Sequence, residues 1–448
     1  MADMRDYLEL RGDIRLFERP FNDVDNLVLS TLAYLDLTGI VGGEGAAGEK
    51  PVAADGAVLA GEKRGITVAE ACSELLRRAD GDLSPYVRSL ASVDERFVRT
   101  LGASARFGTA RLVDYVDVHD DERALQFSAV TVELDAGVPA GAGQAGERAV
   151  PESYVAFRGT DTTLVGWREN FILSFAVTEA QREAASYLER ALARAAAAGR
   201  RVRVGGHSKG GNLAAYATAV CPEALRGRIE RVYSNDGPGM DPAVVPVRCA
   251  DVMGERYTRI LPRYSVVGRT FSDDAPCTIV ESSAARTLQH DPLSWQVRTD
   301  GFVTADSFDP ECLVVGRAFA SWLEKLDPAD RKLATNELFD ALEAGGATSF
   351  EDVFSSVGAA QKVLSALGGI DSRAAEMMRG LVSELVATSA AATRDAVAEA
   401  VTDAATEVAV RAREALAGLI SGGAAPDAPQ DSVPKKNLTR GGSFQRPS

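Results

Sequence analysis

The sequence predicts an α/β protein: a mostly parallel central sheet, N-terminal helices and a C-terminal helical appendage. Three observations carry that reading. Segments 110–118, 124–134 and 152–158 alternate apolar and polar residues with period two, as neighbouring strands do. From residue 178 onward, strand-like and helix-like stretches alternate, which places helices on both faces of a parallel sheet. Beyond residue 311 strand signals almost vanish, and 311–325, 328–344, 349–367 and 371–420 read as helices.

The elements follow in order. Residues 21–41 place apolar side chains at helical spacing after an Asn/Asp start. The Gly- and Ala-rich stretch 42–63 reads as a loop, and helices are expected over 67–79 and 84–102, the second opened by Ser84-Pro85. Residues 136–148 separate the second and third period-two strands as a flexible hairpin. A helix over 178–198 is bounded by Thr178 and Gly199, followed by strand 202–206, helix 209–220 and strand 229–235. Further strands are expected near 264–268 and 277–282. The tail 422–448 is rich in Pro, Gly, Ser and Lys and is expected to be disordered. The domain plan is therefore a helical segment 1–105, a core 106–325, a helical region 326–421 and the tail.

Composition narrows the function classes. With 448 residues, 46% hydrophobic and 25% charged, the chain is long enough for a large core. Its formal charge of −15 argues against a nucleic-acid or anionic-membrane binder, because both require a basic face. Cys72, Cys221, Cys249, Cys277 and Cys312 are odd in number and form no CxxC pair, which fits a reducing compartment rather than a disulfide framework. The first twenty residues lack an apolar signal region, and no run of about 18 apolar residues appears. A cytoplasmic location is expected, with no metal and no cofactor.

The sharpest chemical signal is Gly206-His207-Ser208-Lys209-Gly210. The strand-like RVRVG precedes it and the small-residue helix GNLAAYATA follows, which is the context of a nucleophile elbow. In such a turn the serine is presented at the sheet edge, and glycines at the flanking positions remove side-chain clashes. The following helix aims backbone N–H groups at the same place. Upstream, Val155-Ala156-Phe157-Arg158-Gly159-Thr160-Asp161 ends a strand in a polar turn. Thr160 and the N–H of Lys209 are the candidate oxyanion donors.

A serine nucleophile needs a base, and in this arrangement the base follows it in sequence. Of the three histidines, His119 precedes Ser208 and His207 adjoins it at a turn that points it elsewhere, so His290 is the candidate. For the acid, Asp236 in the Gly/Pro-built turn Ser234–Gly239 is favoured, while Asp273 and Asp274 remain open. Trp167 and Trp295 flank candidate site segments and are expected to line a substrate pocket.

FRGTD, then Gly166-Trp167-Arg168-Glu169-Asn170, then GHSKGGNLA resembles the class 3, fungal-type lipases. Four pieces resemble the Mbeg1-like family of lipase-like proteins more closely: 21–36, 206–217, VYSNDGPG (232–239) and QHDPLSWQV (289–297). Together they cover about residues 15–320. The resemblance implies an α/β-hydrolase fold with Ser208 and His290 in catalysis, and it supports Asp236 through DGPG. Lys209 stands where class 3 lipases carry Leu.

The expected activity is hydrolysis of a small acyl ester or lipid through an acyl-enzyme. Two other readings fit the same residues: an inactive hydrolase fold that binds a ligand, or a thioesterase, acyltransferase or peptidase on the same site. The Ala-rich stretch 371–420 is a candidate for helix-mediated self-association.

Overall fold

The computed structural model describes residues 2–42, 65–88, 92–120, 125–134, 150–160, 168, 172–173, 175–270, 275–313, 331, 335–336 and 339–340. The chain divides into two compact units, Met1–Ser389 and Ala390–Ser448, and the second lies wholly outside the described residues. So do the expected hairpin 136–148, the stretch 371–420 and the tail.

One sheet organises the first unit. Its strands are β1 (Ile66–Thr67), β2 (Arg111–Asp120), β3 (Leu125–Leu134), β4 (Glu152–Phe157), β5 (Arg201–His207), β6 (Ile229–Asn235), β7 (Tyr257–Pro262) and β8 (Cys277–Val280), side by side in chain order. Neighbours from β1 to β4 run antiparallel and those from β4 to β8 run parallel, so four of the seven pairings are parallel. The carboxyl ends of β4, β5 and β6 therefore lie together, where ligands bind in open α/β sheets.

Alternation along each strand feeds two separate cores. Tyr154 and Ala156 of β4 face a layer built from α1 (Met4–Arg11), α2 (Asp23–Leu32), α3 (Val68–Ala79) and α4 (Glu95–Ala103). Val155 and Phe157 face α5 (Glu179–Ala197) and α6 (Lys209–Val220) on the other side. Both faces being covered explains why β4 ends in the unbroken apolar run Tyr154–Phe157. Full burial of a side chain such as Phe157 stabilises by roughly 1.5–3 kcal/mol.

Local signals set the helix ends. Asn22 caps α2 by accepting from the Val24 and Asp25 N–H groups, and Asp25 reaches back to the Asn22 N–H. The Asp25 carboxylate also accepts from Tyr7 Oη at 2.7 Å and from buried Arg106, which anchors α2 to α1. Thr178 caps α5 in the same manner, and Gly199 follows its end with φ of +67°.

Two sequence expectations are corrected. The helix expected over 84–102 is broken: Ser84–Tyr86 forms one 3-10 turn, Val87 bridges Leu35, and α4 starts only after Asp94, which caps it through the Phe97 N–H. Ser84-Pro85 starts a turn that tertiary pairing then stops. The strand expected near 264–268 lies instead at 257–262, and Val267–Arg269 forms a 3-10 turn. Tyr264, Ser265 and Val266 carry strand-like side chains, yet this stretch wraps around Asp236.

Candidate active site

The elbow forms between β5 and α6. Ser208 has φ of +57° and ψ of −128°, a conformation that costs a non-glycine residue roughly 1–3 kcal/mol. Its N–H donates to the Asn235 carbonyl at 2.8 Å, which ties the strained turn to β6. A Cβ at Gly206 would sit 2.4 Å from the Gly210 carbonyl carbon, and one at Gly210 would sit 2.1 Å from the Phe157 carbonyl oxygen. Both flanking glycines are therefore required by close backbone approach, as the motif predicts.

Beneath the turn lies a buried polar network from α2. Asn26 Nδ2 donates to Asn235 Oδ1 at 2.8 Å, and Asn235 Nδ2 donates to the Gly206 carbonyl at 3.1 Å. Ser30 and Tyr154 complete it, with hydroxyls 2.8 Å apart. A satisfied network of this kind fixes one arrangement of the strands it joins.

The structure brings Ser208, His290 and Asp236 together. His290 Nδ1 lies 2.6 Å from Asp236 Oδ2, and His290 Nε2 lies 2.9 Å from Ser208 Oγ. A carboxylate only accepts, so Nδ1 carries the hydrogen, Nε2 is bare, and the Ser208 hydroxyl donates to it. All three residues are buried, at 2%, 8% and 1% exposure.

Asp236 is held from several sides. It sits in the left-handed region with φ of +48°, and its N–H donates to the Ile260 carbonyl at 2.8 Å. Its Oδ1 accepts from Ser265 Oγ at 2.5 Å and from the Gly268 N–H at 3.1 Å. Sequence reasoning missed Ser265 and Gly268, because the donors come from a turn disguised as a strand. Asp291 is occupied elsewhere, accepting from the Ser92 and Leu293 N–H groups. Asp273 and Asp274 lie outside the described residues.

Thr160 is buried just past the end of β4. Arg158 in the same turn donates twice to Asp117 of β2, both at 2.8 Å, a bidentate contact that fixes the turn. Lys209 opens α6, so its N–H belongs to the first helical turn, and its side chain is buried with Nζ donating to the Gln126 carbonyl at 2.6 Å. Trp167 lies outside the described residues. Trp295, expected at a pocket wall, is fully buried, edge-on to His207 at 6.0 Å, with Nε1 donating to the Gln289 carbonyl at 2.8 Å.

His207, set aside as the base by its place in the turn, makes contacts of its own. Its Nδ1 lies 2.7 Å from Tyr34 Oη and its Nε2 lies 2.8 Å from the His290 carbonyl. Burial, reinforced by the neighbouring His290, pushes its pKa well below the ordinary 6.5, so it is neutral at physiological pH.

Burial also pushes the Cys72 thiol up to about 12 and those of Cys221 and Cys312 to about 11, which leaves them unreactive. All five cysteines are free. Among the described residues no helix is long and apolar enough to cross a membrane.

Among curated proteins none matches this chain. Among solved structures, the crystal structure of M37 lipase is similar at 17% identity with a TM-score of 0.28, over 39% of this chain. The match spans 60% of the length of that lipase chain. A model of the Mbeg1-like family matches residues 101–340, more than half of the sequence and a span that contains Ser208, Asp236 and His290. The chain belongs to the Mbeg1-like family.

Proposed function

We propose that this protein is a serine hydrolase that cleaves a carboxylic ester of a small acyl or lipid substrate. The observation that carries the proposal is the unbroken hydrogen-bond chain from Ser208 Oγ through the His290 ring to Asp236. Ser208 attacks the acyl carbonyl as His290 Nε2 takes its proton. Asp236 keeps the ring in the tautomer that leaves Nε2 bare, and stabilises the imidazolium that forms. Thr160 and the Lys209 N–H stabilise the oxyanion, a type of contact whose loss costs about 10²–10³ in rate. The imidazolium then protonates the leaving alcohol, and water releases the acyl group with His290 again as base.

The choice of ester over thioester or amide rests on the family's likeness to lipases, since one such site serves all three chemistries. A panel of esters, thioesters and amides with graded acyl chains tests it. Turnover of esters by the wild type, absent in Ser208→Ala, supports the proposal. Selective turnover of thioesters or amides moves the assignment to another acyl chemistry. No turnover of any member by folded protein favours a binding module.

A further inference from the structure

Two ring N–H groups grip consecutive carbonyls of the loop that carries His290. Trp295 Nε1 donates to the Gln289 carbonyl at 2.8 Å, and His207 Nε2 reaches the His290 carbonyl at the same distance. A carbonyl only accepts, so His207 Nε2 carries its hydrogen and Nδ1 is bare. Tyr34 Oη, 2.7 Å away, therefore donates to Nδ1 and locks that tautomer. The two imidazoles lie 4.7 Å apart between centroids.

Tyr34 belongs to the segment just after α2, far from the catalytic strands in sequence, and is 1% exposed. Gly159 makes room for it: a Cβ there would fall 2.1 Å from Tyr34 Oη and 2.6 Å from the His207 carbonyl. The donor line thus runs from the N-terminal layer, through the residue before the nucleophile, to the backbone of the candidate base.

We infer that His207 and Tyr34 are positioning residues for the reaction, a hydrogen-bond line that holds the His290 backbone so that Nε2 meets Ser208 Oγ. This rests on the hydrolase reading above. His207 acts through His290 and touches no reacting atom. Its effect therefore belongs to kcat, because a misplacement of about 1 Å at a reacting group costs on the order of 10²-fold in rate. KM, set by contacts elsewhere, changes little.

The test uses full-length protein and a fluorophosphonate probe, with the rate of adduct formation at Ser208 followed by mass spectrometry. His207→Phe keeps a ring and deletes both nitrogens. His207→Gln places an amide N–H about where Nε2 sits. The expected result is labelling slowed by about 10–10²-fold in His207→Phe and restored to within about fivefold of wild type in His207→Gln. With a turned-over substrate, the His207→Phe loss appears in kcat and not in KM.

Tyr34→Phe removes one hydroxyl and keeps the packing, so it remains informative if His207→Phe does not fold. It is expected to slow labelling about three- to tenfold. Labelling of His207→Phe at the wild-type rate, or equal losses in the Phe and Gln variants, overturns the role of the His207 donor. An unaltered Tyr34→Phe overturns the role of Tyr34. A wild type that is folded and unlabelled contradicts the hydrolase reading itself and takes this inference with it, an outcome visible before any variant is made.

Discussion

Two histidines lie ring against ring at the carboxyl edge of the sheet, and their environments assign them different chemistry. His290 offers Nδ1–H to a carboxylate, which leaves Nε2 bare beside a hydroxyl. His207 offers Nε2–H to a carbonyl and receives a phenol at Nδ1. The first is paired with the carboxylate of Asp236. The second is enclosed among neutral groups, where burial resists protonation. Under the proposed mechanism identical side chains serve as base and as support because the atoms around them differ in what they accept.

Substitutions break this comparison in graded steps. Ser208→Ala and His290→Ala are each expected to lower kcat by about 10⁶-fold, with the double variant no worse than either single one. Additive losses in that double variant would separate the two residues. Asp236→Asn keeps the shape and spoils the tautomer, and is expected to cost about 10⁴-fold in kcat. Ser265→Ala removes one donor to Asp236 Oδ1 and is expected to slow turnover about tenfold. A Ser265→Ala enzyme with wild-type kcat would show that the Gly268 N–H suffices.

The smallest effect sharpens the contrast through pH. His207 titrates near 6.5 when unfolded and well below that when folded, so between those values the unfolded state binds the extra proton. Stability therefore falls as pH drops below about 6.5, by up to about 1.4 kcal/mol per pH unit. The groups acting here are Tyr34 and His290 at the ring, with Asp291 and Arg158 exerting opposed influences on Tyr34. In urea unfolding, His207→Gln should gain on the wild type as pH falls below that point. A wild-type and variant difference that stays constant with pH would show that His207 protonates without penalty.

Legibility in the sequence followed the same division. The elbow was readable because strand, tight turn and helix all leave local marks: RVRVG, two glycines, and small residues at 214, 215 and 217. Ser208, His290 and Asp236 could be named as candidates for that reason, and the structure sets the three side by side. Contacts made through space left no such mark. Ser265 and Gly268 lie in a stretch whose Val266-Val267 pair reads as a strand, and only the approach of β6 turns it into a cradle for Asp236. Tyr34 looks like one apolar position of a helix, although it lies beyond the end of α2 and points its hydroxyl at His207. Trp295 was legible as a site neighbour but not as a buried one, because spacing says nothing of which side of a loop faces the core.

The most direct test of the account is the mapped adduct of folded, full-length protein with a fluorophosphonate. One adduct is expected, on Ser208, formed rapidly in the wild type and suppressed by His290→Ala. A folded wild type that stays unlabelled, or an adduct that forms on Ser208 equally fast without His290, would contradict it.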